Sequence, residues 1–273
     1  MKLGVSSHTY AWAIGVPGYP SPRAPLDAFG LVQKAARLNV PVVQIADNLP
    51  LHVLSAGTVK ELKTLADGLQ IQMEVGTAGI RRDHLLSYLE IAKTLGSPIV
   101  RTLLDSNGHH PSVEDCIVAL RAVARDFENA GVSLAIENHD RFSARTLTAI
   151  IQAVASPRVG ICLDTANSLG CGEDIRTVVA DLAPFVVNLH IKDFKVSRLP
   201  HCKGFTVEGA PAGEGRLDVP WLLSTLSGRA ELITAIVELW LSPDSDIEQT
   251  IEREDRWATE SVAYVRRCLQ AAF

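Results

Sequence analysis

Residues 132–193 read VSLAIENHDRFSARTLTAIIQAVASPRVGICLDTANSLGCGEDIRTVVADLAPFVVNLHIKD. Three short runs rich in Val, Ile and Leu (132–136, 159–163 and 186–191) alternate with longer segments whose apolar residues recur at helical spacing. Apolar residues on consecutive positions, instead of every second one, describe parallel strands covered on both faces. Each run also stops at polar residues: Glu137-Asn138-His139, then Asp164, then His190-Ile191-Lys192-Asp193.

The same alternation continues on both sides of this stretch. Further runs at 3–5, 42–45, 71–75, 99–104 and 233–237 bring the number to eight. Between them Leu31, Ala35 and Leu38 share one helical face, as do Leu62, Leu65 and Leu69, then Leu85, Leu89 and Ala92, then Ile117, Leu120, Val123 and Phe127. Segments 146–153, 175–182, 219–226 and 253–269 supply the later helices. Ser112 before Glu114 and Asp115 is a helix start, and Gly68, Gly96 and Gly131 fall at helix ends. Eight strand-helix units in about 250 residues predict an α/β protein built as a closed (β/α)8 barrel. An open doubly wound sheet would place a GxGxxG turn after its first strand, and Val5-Ser6-Ser7-His8-Thr9-Tyr10-Ala11-Trp12 has none. No linker or repeat divides the chain, so residues 1–273 are read as one domain. Residues 194–216, with four glycines and two prolines, are expected to form a long irregular loop at the catalytic face after the seventh strand.

Composition narrows the function classes. Lys+Arg 26 against Asp+Glu 31 gives a net charge of -5, without the basic excess that nucleic-acid binding calls for. No window of about 18 residues is free of charged or strongly polar groups, and no leader-like segment opens the chain, so a cytoplasmic protein without a membrane partner is expected. Cys116, Cys162, Cys171, Cys202 and Cys268 are odd in number and contain no CxxC pair, which argues against disulfides and a cysteine zinc site.

In a barrel the C-terminal ends of the strands share one mouth. The last four strands deliver Glu137, Asp164, His190 and Glu238 there. Glu238 lies between Val237 and Leu239, where an unpaired charge would cost several kcal/mol, so it requires a cationic partner. Three carboxylates and an imidazole suit one divalent ion, Mn²⁺ or Mg²⁺ first, with Co²⁺ or Zn²⁺ as alternatives.

The order Glu137-Asn138, Asp164, His190-Ile191-Lys192-Asp193, Gly213-Glu214-Gly215 with Leu217-Asp218, and Glu238 resembles the sugar isomerase and epimerase branch of the xylose isomerase-like TIM barrels. That branch includes ketose 3-epimerases, hydroxypyruvate isomerase, and inosose and dehydroshikimate dehydratases. The resemblance implies that Glu137, Asp164, His190 and Glu238 hold the metal, and that Glu137 and Glu238 exchange the substrate proton as in the epimerases. One position departs from the pattern: the epimerases carry a histidine three residues after the strand-six Asp, where this chain has Asn167.

The other polar residues are assigned around this centre. Lys192, two residues past His190 and on the same side of the strand, is a candidate catalytic group or anion ligand. Arg101, inside an apolar run, faces either a buried acid or a substrate anion. His8, Trp12, His139, Asn167 and Lys203 are candidate substrate contacts, and Glu74 and Asp193 candidate supports for the ligands. Asp47 and Asn48 either meet substrate hydroxyls or form a turn.

The expected activity is a metal-dependent isomerase or epimerase acting on a small keto-sugar or sugar acid through an enediolate. A lyase of the same fold ranks second: a decarboxylase of a 3-oxo sugar acid such as 3-oxo-isoapionate, or a keto-sugar dehydratase. Asn167 and the cations Arg101, Lys192 and Lys203 lean toward the lyase. A DNA enzyme resembling apurinic endonuclease and a non-catalytic binding module are remote alternatives. The expected partner is a small carbohydrate, with apolar surface on the outer helices or residues 240–247 available for a homodimer.

Overall fold

The computed structural model describes residues 1–106, 108–228 and 234–272. Ten strands run in chain order as β1 (Lys2–Ser6), β2 (Val42–Ile45), β3 (Gln72–Ala78), β4 (Ile99–Leu103), β5 (Ser133–Glu137), β6 (Val159–Asp164), β7 (Val186–Ile191), β8 (Asp193–Arg198), β9 (Phe205–Ala210) and β10 (Thr234–Val237). Eight of them close a barrel in the order β1-β10-β7-β6-β5-β4-β3-β2. All eight contacts around the ring are parallel. The start of the last expected run, at Ile233, lies outside the described residues.

A short α1 (Ala11–Ile14) follows β1, and the outer layer comprises α2 (Ala28–Arg37), α3 (Ala56–Gly68), α4 (Arg82–Leu95), α5 (Val113–Ala130), α6 (Ala144–Val154), α7 (Ile175–Leu182), α8 (Val219–Leu226) and α9 (Ile247–Ala272). Their starts follow from capping chemistry: Ser55, Ser112, Ser143, Asp174 and Asp218 each accept a first-turn backbone N–H. The main core lies between this layer and the barrel, where Leu31, Leu62, Leu85, Leu120, Ile150, Leu182 and Leu222 are all fully buried.

Inside the barrel the core changes character. Strand alternation turns Gln44, Glu74, Asn188 and Thr234 inward, and all four are fully buried. They satisfy one another. Asn188 donates to Thr234 Oγ1 (2.7 Å), Thr234 to Glu74 Oε1 (2.9 Å), and the Gln44 amide to both Glu74 Oε2 and Asn188 Oδ1 (3.1 Å each). A connected polar layer of this kind rigidifies the floor on which the strand ends rest.

Two expectations are corrected. Most of the supposed irregular loop at 194–216 is an antiparallel hairpin, β8 with β9, paired from Asp193 with Ala210 to Arg198 with Phe205. Its glycines serve strand geometry: Gly204 takes φ 132° in the turn, and a Cβ on Gly209 would lie 1.7 Å from the Trp240 carbonyl oxygen. The final helix begins at Ile247, six residues before the expected 253, because Thr250 is fully buried and Ile251 packs on the core.

Candidate metal centre

Glu137 and Asp164 are the last residues of β5 and β6, His190 lies near the end of β7, and Glu238 immediately follows β10. Barrel closure puts these strands side by side, so the four side chains meet at 3% exposure or less. His190 Nδ1 lies 3.3 Å from Glu137 Oε2, 3.4 Å from Glu238 Oε1 and 3.9 Å from Asp164 Oδ2. Donors bound at about 2.1 Å around one octahedral cation stand roughly 3 Å apart, so the spacing is close to a ligand shell.

Hydrogen bonding singles out the same point. Among the described residues, five buried side-chain N or O atoms lack a hydrogen-bond partner, and three of them are Asp164 Oδ2, His190 Nδ1 and Glu238 Oε2. Such atoms are costly unless something else satisfies them. The opposite atoms of the same side chains are well held. Asp164 Oδ1 accepts the Ala166 and Asn167 backbone N–H groups (2.8 and 2.9 Å), and Glu238 Oε1 accepts from Ser6 Oγ (2.8 Å). Gln44 Oε1 is 2.8 Å from His190 Nε2, and because the Gln44 amide nitrogen is engaged with Glu74 and Asn188, this oxygen is the acceptor. That assigns a proton to Nε2 and points Nδ1, the atom a metal would bind, at the carboxylates, which raise the imidazole well above its ordinary range despite its burial. The donor set fits a hard divalent cation.

Two basic side chains balance the acids. The Arg101 Nε donates to Glu137 Oε2, its Nη1 to Asp47 Oδ1 (2.6 Å) and the Thr77 carbonyl (3.1 Å). The Lys192 ammonium lies 2.9 Å from Asp164 Oδ2 and 3.0 Å from Glu238 Oε2 and forms an ion pair with each. Burial alone would raise the Glu137 and Glu238 carboxyls. The charges of Arg101 and His190 outweigh it at Glu137, and those of His190 and Lys192 at Glu238, so both are held below the usual carboxylate range. For Lys192 burial works against the charge, but Asp164 and Glu238 prevail and raise it.

The remaining candidates divide by what they touch. Asn167 donates to Glu137 Oε1 (2.8 Å), so it orients a ligand, and Glu74 supports His190 through Gln44. His8 is partly exposed at the rim, 3.5 Å from Asp47, and the exposed His139 pairs with Asp140. Asp193 contacts none of the four: it accepts the backbone N–H groups of Phe194, Gly213, Gly215 and Leu217, tying the segment after the hairpin to the end of β7. Trp12 is buried and donates its indole N–H to the Leu241 carbonyl (2.8 Å), fixing the chain beyond Glu238. Lys203 is exposed in the hairpin turn, outside the cavity at the mouth. Asn48 hydrogen-bonds Ser7 and forms a local latch. Cys162, beneath Glu137, is a neutral thiol: burial pushes it up to about 12, and it donates to Asn188 Oδ1 (3.1 Å).

Sequence reasoning missed Ser6 and Gln44. Gln44 carried a signal, a lone amide inside the apolar run Val42-Val43-Gln44-Ile45. Replacing it with Leu is expected to weaken divalent-ion affinity about 10- to 100-fold while the fold persists, measured by titration calorimetry. Unchanged affinity would show that Gln44 does not orient His190.

Comparison with known proteins agrees with this architecture. The profile of the xylose isomerase-like TIM barrel family matches residues 32–268. The chain belongs to that family. It is 34% identical over 267 residues to the 3-oxo-isoapionate decarboxylase of Pectobacterium atrosepticum, covering 97% of this chain and 95% of the relative. Among solved structures of the fold, D-psicose 3-epimerase from Clostridium cellulolyticum H10, solved with D-tagatose, has a TM-score of 0.73 at 17% identity, covering 98% of this chain and 99% of the other. A family protein from Mycobacterium smegmatis, solved in complex with magnesium, has a TM-score of 0.69 at 14% identity, covering 97% of each. Likeness at such identities establishes the fold alone. No helix among the described residues is long and apolar enough to cross a membrane.

Proposed function

We propose that this protein is a divalent-metal-dependent decarboxylase of a 3-oxo sugar acid, with Glu137, Asp164, His190 and Glu238 as metal ligands and Mn²⁺ or Mg²⁺ as the ion. The observation that carries the choice is that both flanking glutamates are already engaged. Glu137 accepts from Arg101 and Asn167, and Glu238 accepts from Ser6 with the Lys192 ammonium beside its other oxygen. Epimerisation needs a carboxylate free to take a proton from carbon, and pairing with fixed cations weakens that basicity. Loss of carbon dioxide needs no such base. The similarity to a 3-oxo-isoapionate decarboxylase across nearly the whole chain supports the same reading.

A divalent ion in the site supplies Lewis-acid polarisation of the keto oxygen. The chain's own groups do the rest. The bond between the carboxylate and the adjacent carbon breaks, its electron pair passes to the enolate, carbon dioxide departs, and that carbon takes one proton. Lys192 holds a proton at Nζ beside Asp164 and Glu238, and the carbanionic carbon is a far stronger base than an amine. Glu137 and Glu238 stay ionised throughout.

Incubation with 3-oxo-isoapionate and Mn²⁺ or Mg²⁺, followed by ¹³C NMR, is expected to show carbon dioxide released in step with loss of the acid. Neutral ketoses in D₂O are expected to gain no deuterium. A second reading, ketose epimerisation, draws on the placement of Glu137 and Glu238 at the two ends of the four-strand arc β5-β6-β7-β10. Deuterium entering a ketose without carbon dioxide release would establish it and overturn the decarboxylase.

A further inference from the structure

A cavity of about 840 Å³ is lined by Glu137 of the candidate metal centre together with Asp47, His52, Arg81 and His84 from the segments around β2, β3 and β4. It lies in the upper part of the roughly 300–1,000 Å³ range that accommodates drug-sized ligands, more space than a five- or six-carbon sugar acid fills.

The wall has an asymmetry of pairing. Each acid lining the cavity has a basic partner: Asp47 and Glu137 have Arg101, Asp105 has Arg141, and Asp140 has His139. The bases opposite are not matched in this way. His52 Nδ1 meets only the Tyr88 hydroxyl (2.9 Å), and His84 Nε2 only the Thr77 hydroxyl (2.6 Å), both neutral groups. Arg81, which like His52 is exposed, forms no ion pair or side-chain hydrogen bond among the described residues. His52, His84 and Tyr88 pack ring to ring, with centroids 5.0–5.6 Å apart, so two imidazoles are held in fixed positions in the cavity that Arg81 also lines. The wall joins the metal centre through Arg101, which bonds Glu137 on one side and the Thr77 carbonyl on the other.

We propose that His52, Arg81 and His84 form a subsite for a second anionic group of the substrate, phosphoryl or carboxylate, at the end away from the reacting keto acid. This rests on the decarboxylase reading and points to a 3-oxo sugar acid that carries one anionic group more than 3-oxo-isoapionate. The departing carboxylate loses its charge as the bond breaks, so holding it with cations would stabilise the ground state over the transition state. A remote anion can be held at constant strength throughout, by the Arg81 guanidinium and by imidazole N–H donors that need carry no charge, His84 being held below the usual imidazole range by burial and by His52. The location also differs from the phosphate site common in such barrels, which uses the loops after the last two strands.

The test follows the imidazole ring signals of His52 and His84 by NMR in metal-loaded protein during separate titrations with inorganic phosphate and malonate. Saturable shifts at both residues are expected, with Arg81→Ala weakening binding about tenfold or more and Arg81→Lys restoring part of it. Tighter phosphate binding identifies a phosphoryl group and tighter malonate binding a carboxylate. Absence of saturable shifts overturns the subsite. So does affinity equal in wild type and Arg81→Ala, which would place the anion on the metal alone. Because these titrations involve no turnover, their failure beside normal carbon dioxide release removes the subsite only. Anion binding without carbon dioxide release removes the decarboxylase and leaves the wall.

Discussion

Replacing Asp164 with Asn is expected to lower kcat/KM for decarboxylation on the order of 1,000-fold and to abolish stabilisation by divalent ions. The substitution is nearly isosteric. Oδ1 can still accept the Ala166 and Asn167 N–H groups that shape the turn after β6, so the backbone has no reason to move. What disappears is the negative charge at Oδ2, the oxygen that faces the centre and lies 2.9 Å from the Lys192 ammonium. Lewis-acid polarisation contributes several kcal/mol to a reaction of this kind, and each tenfold in rate corresponds to about 1.4 kcal/mol. In wild type, an ion at 100 times its Kd stabilises the fold by about 2.7 kcal/mol, a rise in Tm of roughly 5–10 °C for a chain of this size. Scanning calorimetry with and without Mn²⁺, beside steady-state kinetics, measures both effects. If Asp164→Asn kept the full ion-dependent rise, the four side chains would not be the binding site.

The sequence made the barrel legible because its strands are short runs rich in Val, Ile and Leu, most of them followed within a residue or two by charged or polar residues. Glu137, Asp164, His190 and Glu238 stood out for the same reason: each closes or closely follows a run that contains little else polar. The support beneath them was harder to see. Gln44 reaches His190 across 146 positions, and a contact of that kind exists only once the order β1-β10-β7-β6-β5-β4-β3-β2 closes the ring. Asn167 shows the same limit. Its identity separated this chain from the epimerase pattern, but only the fold of the turn after Asp164 aims its amide at Glu137. In the hairpin, glycine density resembled irregularity because Gly204 and Gly209 answer to a turn and to a close carbonyl, neither of which leaves a periodic trace. Arg101 was ambiguous for a different reason. An arginine in an apolar strand must meet an anion, and whether that anion is protein or substrate is a three-dimensional fact.

That fact makes Arg101→Met strongly destabilising. Arg101 is 3% exposed and joins Glu137, also 3% exposed, to Asp47. Removing one member of a buried pair costs about 3–5 kcal/mol, chiefly because the remaining charge is stranded, which corresponds to a fall in Tm of roughly 10 °C. In metal-free wild type Glu137 is held below the usual carboxylate range, so its contribution to stability is present above the unfolded value of about 4.3 and is lost as the pH falls through the folded value. Without Arg101 the burial of Glu137 favours the protonated form, and acidification relieves the strain instead of adding to it. The Tm deficit of Arg101→Met is therefore expected to narrow from pH 7 toward pH 5. A divalent ion offers Glu137 a replacement for the guanidinium, so saturating Mn²⁺ should narrow it as well. A double-mutant cycle with Glu137→Gln, run with and without the ion, isolates the pair from other effects of the Met side chain. A deficit independent of both pH and metal would mean that Arg101 acts by packing, and that the charge at Glu137 is balanced elsewhere.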